Sequence, residues 1–219
     1  GIGICGKDTT NNTIHGNLIG ADPTGAYELP RDSFWMSNEW GNQYDGIWID
    51  DGANSNTIGP DNIIAYNHYN GIRLTGEGVV QNIITQNSIH DNAGAGIQLS
   101  LGGNGLIEAP KIQEYRIDEG LVKGITCANC LVEIYSDENS EGEYFEGSTL
   151  SDKNGHFTFV KGESFIHTRL TTIAIDPTGN TSPYSLSVGP VSNLQIGNEL
   201  PLTYIQPKTS EMMADTRIG

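Results

Sequence analysis

Short apolar-polar-apolar triplets recur at a fixed interval in the first half of the chain. Gly-Ile-Trp-Ile at residues 46–49 returns as Gly-Ile-Arg-Leu at 71–74 and as Gly-Ile-Gln-Leu at 96–99, an interval of 25 residues. Four further columns share the interval: Asn42 with Asn67 and Asn92, Ile58 with Ile83, Asn62 with Asn87, and Ile64 with Ile89. A repeat of this length, built from strand-like triplets separated by Gly and Asn, predicts a parallel β-solenoid with about 25 residues per coil.

Alternation within the triplets assigns each residue to a face. Ile47 and Ile49 are predicted to face inward and Trp48 outward, with Arg73 and Gln98 on the same outer face. The Asn columns are expected at corners, where stacked amides can hydrogen-bond from coil to coil. A leucine-rich horseshoe has a comparable period, but its long Leu consensus and adjoining helix are absent from the sequence.

Two changes of pattern divide the chain, and all of its segments are consistent with an all-β fold. Residues 1–108 are predicted to form the solenoid, with an insertion at residues 21–45. Seven short alternating segments follow within residues 109–189, the last at 184–188, and they predict an immunoglobulin-like β-sandwich. Residues 190–219 are interrupted by prolines and predict an extended arm or linker, which runs along the sandwich, adds a strand to a neighbouring subunit, or stays disordered.

The charge balance narrows the choice of partner. Eleven Lys and Arg residues against 27 Asp and Glu residues leave a formal net charge of −16. Such an acidic chain is expected to bind nucleic acid or an anionic membrane surface poorly, because like charges repel. No apolar run reaches the length of a membrane span.

The cysteines predict one disulfide. Cys127 and Cys130 lie between two strand-like segments, without the second ligand pair of a zinc site or the βαβ setting of a redox motif. A structural disulfide between them is the favoured interpretation, and it implies an oxidising compartment outside the cytoplasm. Cys5 is expected to be buried in the first coil, or paired with a part outside this chain.

An acidic stretch between two predicted strands is a candidate cation site. Asp137, Glu138 and Glu141 supply oxygen ligands that suit weak Ca²⁺ binding, although their spacing differs from that of an EF-hand. The alternative is a solvated hairpin tip. Ca²⁺ is the one cofactor that the sequence brings into consideration.

Aromatic residues cluster in and beside the insertion. Trp35, Trp40 and Tyr44, with outward Trp48 after them, are the candidate carbohydrate-binding residues, because sugar rings stack on such side chains. The alternative is that the insertion folds over the solenoid and these aromatic residues form its own small core.

Asp50 and Asp51 are weak catalytic candidates, as an adjacent acidic pair after an inward-facing triplet. Glycoside hydrolysis needs two carboxylates at a defined separation, and a lyase needs a strong base. The Asn-Thr-Asp, Gly-His-Gly and Arg-Ile-Lys motifs of polygalacturonases are absent, and Arg73 is the one basic residue in the coils after the insertion. A turn is the favoured interpretation of the pair.

Several segments together resemble a known family. Asn-Thr-Ile-His-Gly-Asn-Leu-Ile-Gly-Ala-Asp-Pro-Thr-Gly at residues 12–25 and Ala-Asn-Ser-Asn-Thr-Ile-Gly at 53–59 resemble the right-handed parallel β-helix repeats of large secreted bacterial surface proteins. Residues 127–137, 144–149 and 176–182 resemble the bacterial immunoglobulin-like module that follows the helix in that family. The resemblance covers roughly residues 1–188 and implies a secreted or cell-surface protein. It supplies no catalytic residues, because the family has no uniform activity.

Two functional hypotheses follow. The first is a non-catalytic, extracellular or cell-surface protein with a structural or adhesive role, such as a subunit of a surface layer or fibre. Its partners would be cell-surface or matrix components, including glycans, and other copies of itself bound through residues 190–219. The alternative is a carbohydrate-binding or polysaccharide-degrading protein that uses the aromatic insertion; as an enzyme it would be a polysaccharide lyase or a glycoside hydrolase.

Overall fold

A computed structural model describes residues 1–27, 42–138 and 140–189, which form sixteen strands and one 3₁₀ helix. The first ten strands are β1 (Ile2–Cys5), β2 (Thr13–Ile14), β3 (Leu18–Ile19), β4 (Ile47–Asp50), β5 (Thr57–Ile58), β6 (Ile63–Ala65), β7 (Ile72–Thr75), β8 (Ile83–Ile84), β9 (Ser88–His90) and β10 (Ile97–Ser100). After the 3₁₀ helix Gly103–Leu106 come β11 (Lys111–Arg116), β12 (Leu121–Ile125), β13 (Leu131–Asp137), β14 (Tyr144–Leu150), β15 (His156–Val160) and β16 (Arg169–Ile175). Across these described ranges, no helix has the length and apolar character needed to span a membrane. The predicted arm, residues 190–219, lies outside the described residues.

The first ten strands form three parallel sheets, which confirms the predicted solenoid. Sheet 1 has the order β1-β4-β7-β10, sheet 2 the order β2-β5-β8, and sheet 3 the order β3-β6-β9. The first three coils each give one strand to each sheet, and β10 adds a fourth strand to sheet 1, so each strand pairs with its counterpart in the next coil. The hydrogen bonds of the sheets therefore run along the axis of the stack.

The inward positions of sheet 1 form one continuous file. Ile2 lies opposite Ile47, Ile47 opposite Ile72, and Ile72 opposite Ile97. The middle two side chains are completely buried, whereas Trp48 points outward. The predicted faces of these triplets are therefore correct, and the Ile files of the three sheets meet in a single hydrophobic core.

The structure corrects one predicted column of the repeat. Ile58 pairs with Ile84, not with Ile83, because the turn after β7 holds one residue more than the turn after β4. A shift of one residue moves a strand side chain to the other face. Ile84 is accordingly buried in the core, while Ile83 is half-buried on the outside. The next turn is one residue shorter, which restores the pairing of Ile64 with Ile89.

Amide ladders follow three corners of the solenoid, as the Asn columns predict. Each Nδ2 donates to the Oδ1 of the next coil at 2.7–3.1 Å, except that Asn82 reaches Asn104 through its backbone N–H. The ladders consist of Asn12, Asn56, Asn82 and Asn104, of Asn17, Asn62 and Asn87, and of Asn42, Asn67 and Asn92. Buried amides pair with one another here, which avoids the cost of unsatisfied polar groups.

The remaining strands form two antiparallel sheets, β11-β12-β15 and β14-β13-β16. Side chains of both sheets share a second hydrophobic core, composed of Val122, Val132, Ile134, Phe157, Phe165 and Leu170. The expected seventh strand, residues 184–188, is reduced to a single bridge between Leu170 and Val188. The hydroxyl of Ser185 accepts the backbone N–H of Thr172, in a position where a strand would offer a carbonyl oxygen. The ladder is interrupted for this reason.

The antiparallel unit closes one end of the solenoid. Tyr135 and Ile173 are both about 1% exposed and belong to the solenoid core. Gly142 forms a two-way backbone bridge with Ile89, whose N–H donates at 3.0 Å and whose carbonyl accepts at 2.8 Å. The Thr181 hydroxyl accepts the Ile84 N–H at 2.8 Å. The two units therefore share one core and are joined by backbone hydrogen bonds.

A carboxylate ends the third amide ladder. Glu141 accepts the Asn92 backbone N–H at 3.0 Å and the Asn92 side-chain amide at 3.3 Å, in the place where a further Asn would continue the file. Burial raises the pKa of Glu141 from its ordinary value of 4.5 to about 7, while the hydrogen bonds from Asn92 and the charge of His90 act in the opposite direction. Half-buried Tyr184 lies beside it, and Asp91 adds a repulsive charge.

Asn62→Ala is expected to destabilise the protein by about 2–3 kcal/mol, because it leaves buried amide and carbonyl groups of two coils without partners. Asn17→Ala is the matched control, since Asn17 is the exposed first member of the same ladder. Urea unfolding should show a loss below about 1 kcal/mol for the control. Equal losses in the two variants would contradict the ladder interpretation.

The junction should weaken as the pH rises from about 5 to about 8. Because the folded pKa of Glu141 is raised, the folded state holds a proton that the unfolded state has already released. The resulting stabilisation is complete below the unfolded pKa and is lost as the pH passes about 7. The free energy of unfolding of the wild type should fall by about 2–3 kcal/mol more than that of Glu141→Gln over this range. The comparison cancels the other titrating groups, so parallel pH profiles would refute the prediction.

Candidate functional site

The outward face of sheet 1 carries a row of four residues that lie opposite one another in register. Gly3 pairs with Trp48, Trp48 with Arg73, and Arg73 with Gln98. These positions point away from the core because their neighbours in each strand fill it. The indole of Trp48 is 39% exposed, a large apolar surface to leave in contact with water.

Arg73 is held against the indole. Its guanidinium carbon lies 5.2 Å from the centroid of the Trp48 ring, the geometry of a cation–π contact. Its Nε lies 2.9 Å from Asp45 Oδ2, an ion pair in which the carboxylate is buried and the guanidinium is about one-third exposed. The charge of Arg73 is therefore already paired.

A hydrogen-bond network fixes Asp45 in turn. Its Oδ1 accepts the backbone N–H of Asn70 at 3.1 Å and the side-chain amide of Asn70 at 2.7 Å. The same amide donates to Gln98 Oε1 at 3.0 Å. Side chains of three successive coils are thus locked together beside the row, and Trp48 has a rigid polar border.

A groove of about 650 Å³ opens over this surface. The described residues that line it are Gly1, Ile2, Gly3, Asn42, Gln43, Tyr44, Asp45, Trp48 and Arg73. Tyr44 at its rim is 72% exposed and stacks on Tyr69 with ring centroids 6.0 Å apart and an interplanar angle of 10°. Exposed aromatic faces bordered by fixed polar groups are suited to binding a sugar, which has an apolar ring face and polar edges.

The structure brings together part of the predicted aromatic site. Tyr44 and Trp48 line the same groove. Trp35 and Trp40 lie outside the described residues, so their part in the site stays a prediction. Sequence reasoning did not assign Tyr69, Asn70 or Arg73 to this site. The signal was available, because Tyr44 and Tyr69, Asp45 and Asn70, and Trp48 and Arg73 are each one 25-residue repeat apart.

Asp50 is the last residue of β4, and Asp51 is the first residue of the turn that follows it. The Asp50 carbonyl accepts the Ala53 N–H at 3.0 Å, and Asp51 has a left-handed φ of 50° with its side chain exposed. The Asp50 side chain is on the outward face of sheet 1, two positions beyond Trp48 and opposite Cys5. The two carboxylates thus have different environments.

The expected burial of Cys5 is wrong. Cys5 is exposed, because Ile4 fills the inward position of β1 and the next residue must point outward. Its thiol hydrogen-bonds to Asp50, which together with burial and the charges of both aspartates raises the pKa of Cys5 to about 11. Cys127 and Cys130, by contrast, form a disulfide with their Cα atoms 5.6 Å apart.

The three candidate Ca²⁺ ligands have different neighbours. Glu141 binds Asn92 of the solenoid, Asp137 is buried at the end of β13, and exposed Glu138 lies 3.8 Å from His167 Nδ1. Within the part of the chain that the structure describes, no three His, Cys, Asp or Glu side chains are grouped closely enough to hold a metal ion. Ca²⁺ binding at these residues stays a prediction.

A family profile described as a right-handed beta helix region matches residues 33–174, well over half of the chain. No curated protein matches the sequence significantly. The matched region includes β4 to β10 and therefore most of the groove-bearing sheet.

The thiol of Cys5 should react slowly with alkylating reagents near neutral pH, because only the thiolate is nucleophilic. Its labelling rate should rise with a midpoint near pH 11. Asp50→Asn removes the nearest negative charge and should accelerate labelling at about pH 8 by roughly tenfold or more. Asp51→Asn is the control and should have a smaller effect, since Asp51 acts on the thiol through charge alone. Identical rates in the wild type and Asp50→Asn would contradict the proposed contact.

Proposed function

The chain belongs to the right-handed β-helix family, and within it we propose that the protein is a non-catalytic adhesive protein of the cell surface or extracellular space that binds carbohydrate. The family includes both enzymes and structural proteins, so the proposal must rest on this chain's own residues. The observation that carries it is the half-exposed Trp48, fixed by Arg73 and bordered by the Asp45 network in an open groove.

The carboxylates of the groove face support binding rather than catalysis. Asp45 is buried in an ion pair with Arg73 and two hydrogen bonds from Asn70, so it is committed to holding the surface together. Asp50 hydrogen-bonds to Cys5. A catalytic pair would need two carboxylates directed at one bond of the substrate.

Features outside the groove are consistent with an extracellular location. The Cys127–Cys130 disulfide supports an oxidising compartment, and the capped solenoid is a rigid support for an adhesive surface. We include in the proposal that the antiparallel unit is an immunoglobulin-like module of a bacterial surface protein. The proposal also includes self-association through residues 190–219 and weak Ca²⁺ binding.

Polysaccharide cleavage is the second candidate, and one observation favours it. Asp50 Oδ1 is buried without a hydrogen-bond partner among the residues that the structure describes, on the same outward face as Trp48. An unsatisfied carboxylate oxygen near a sugar platform is where an acid or base would be sought. The enzyme would then be a polysaccharide lyase or a glycoside hydrolase.

A glycan array and a polysaccharide-degradation assay test the proposal together. The wild type should bind glycans without releasing oligosaccharides, and Trp48→Ala should weaken binding about tenfold, the effect of losing roughly 1.4 kcal/mol of aromatic contact. Trp35→Ala and Trp40→Ala measure the contribution of the insertion. Tyr144→Ala is the matched control, because Tyr144 is 37% exposed but lies on the antiparallel unit. An array without binding refutes the proposal, and released oligosaccharides that depend on Asp50 would establish the second candidate.

A further inference from the structure

The two faces of the Trp48 indole have different neighbours. On the side of β7, the residue in register is Arg73, whose guanidinium covers the ring. On the side of β1, the residue in register is Gly3, which has no side chain. One face of the indole is therefore covered within the protein, and the other opens into the groove that Gly3 lines.

The space above Gly3 is large enough for one ligand ring stacked on the Trp48 indole. Adjacent strands are about 4.8 Å apart, and a ring in van der Waals contact with the indole lies about 3.5–4 Å from it, which places that ring over Gly3. Among residues 1–27, 42–138 and 140–189, the atom nearest to a Cβ built at Gly3 is Cys5 Sγ, at 3.8 Å. Within this part of the chain the slot is open because position 3 is glycine.

The charges at the slot select the kind of ring. Arg73 is already paired with Asp45, and the chain carries a net charge of −16, so a uronate would bring an unpaired negative charge to an acidic protein. A neutral pyranose has an apolar face of C–H bonds for the indole and hydroxyl groups at its edge for water and polar neighbours. Neutral rings are therefore favoured.

Resting on the proposed function, we infer that a neutral pyranose residue of the glycan binds over Gly3 and stacks on the open face of Trp48. Gly3 is then a specificity-determining residue, because any larger side chain at this position fills the space of the sugar. Arg73 contacts the opposite face of the indole and fixes the orientation of the ring.

An array of neutral oligosaccharides and their uronate counterparts, probed with four proteins, tests this inference. The wild type is compared with Trp48→Ala, with Gly3→Leu, which fills the slot, and with Ser100→Leu, a control that adds the same side chain on β10 of the same sheet. Binding to neutral oligosaccharides should fall at least about tenfold in the first two variants and be unchanged in the control. Thermal unfolding of each variant checks that the fold is intact.

The outcomes separate the inference from the function on which it rests. If the wild type binds glycans and Gly3→Leu binds them equally well, or if binding is confined to uronates, the ring site over Gly3 is wrong while the adhesive function stands. If the wild type binds no glycan, the proposed function fails and the inference fails with it. Loss of binding in Gly3→Leu with a retained unfolding temperature supports both.

Discussion

The solenoid, its junction with the antiparallel unit and the groove all depend on the stacking of equivalent residues from coil to coil. The backbone hydrogen bonds of three parallel sheets run along the stack, and they bring Ile47 over Ile2 and Ile72 over Ile47. Asn side chains at the corners repeat the same bond with their amides. A stacked core of this kind gains stability with each coil, because each new coil buries the apolar surface of the one before it.

A stack must end, and here the end is built from a different kind of structure. The last coil presents apolar side chains and unpaired amides, and the antiparallel unit covers them with Tyr135, Ile173 and Glu141. The carboxylate completes the amide ladder by accepting two hydrogen bonds, but its burial raises its pKa to about 7. The junction thus gains two hydrogen bonds at Glu141, while the burial of this titratable group costs free energy.

The register that buries isoleucine on one side of sheet 1 also builds the groove on the other. Trp48 lies between Gly3 and Arg73 because the coils align these three positions, so Arg73 supports one face of the indole and the other face borders the groove over Gly3. Asp45, Asn70 and Gln98 are joined by the same alignment. The core and the site lie on opposite faces of sheet 1, so a shift of the strand register by one residue would disrupt both.

The sequence alone determined what depends on periodicity: the parallel solenoid, the inward files, the Asn ladders and the change to another structure after residue 108. The exact pairing at Ile58 needed the three-dimensional structure. The exposure of Cys5 and the stacking of Tyr44 on Tyr69 agree with strand alternation and with the repeat, although the sequence prediction did not include them. The closure of the core by the antiparallel unit was decided by the three-dimensional structure as well. The physical reason is that a repeat specifies which residues are neighbours, because residues one repeat apart in sequence lie next to each other in adjacent coils. Turn lengths, the ends of the stack and contacts between units depend on how distant segments meet, and no local pattern records that.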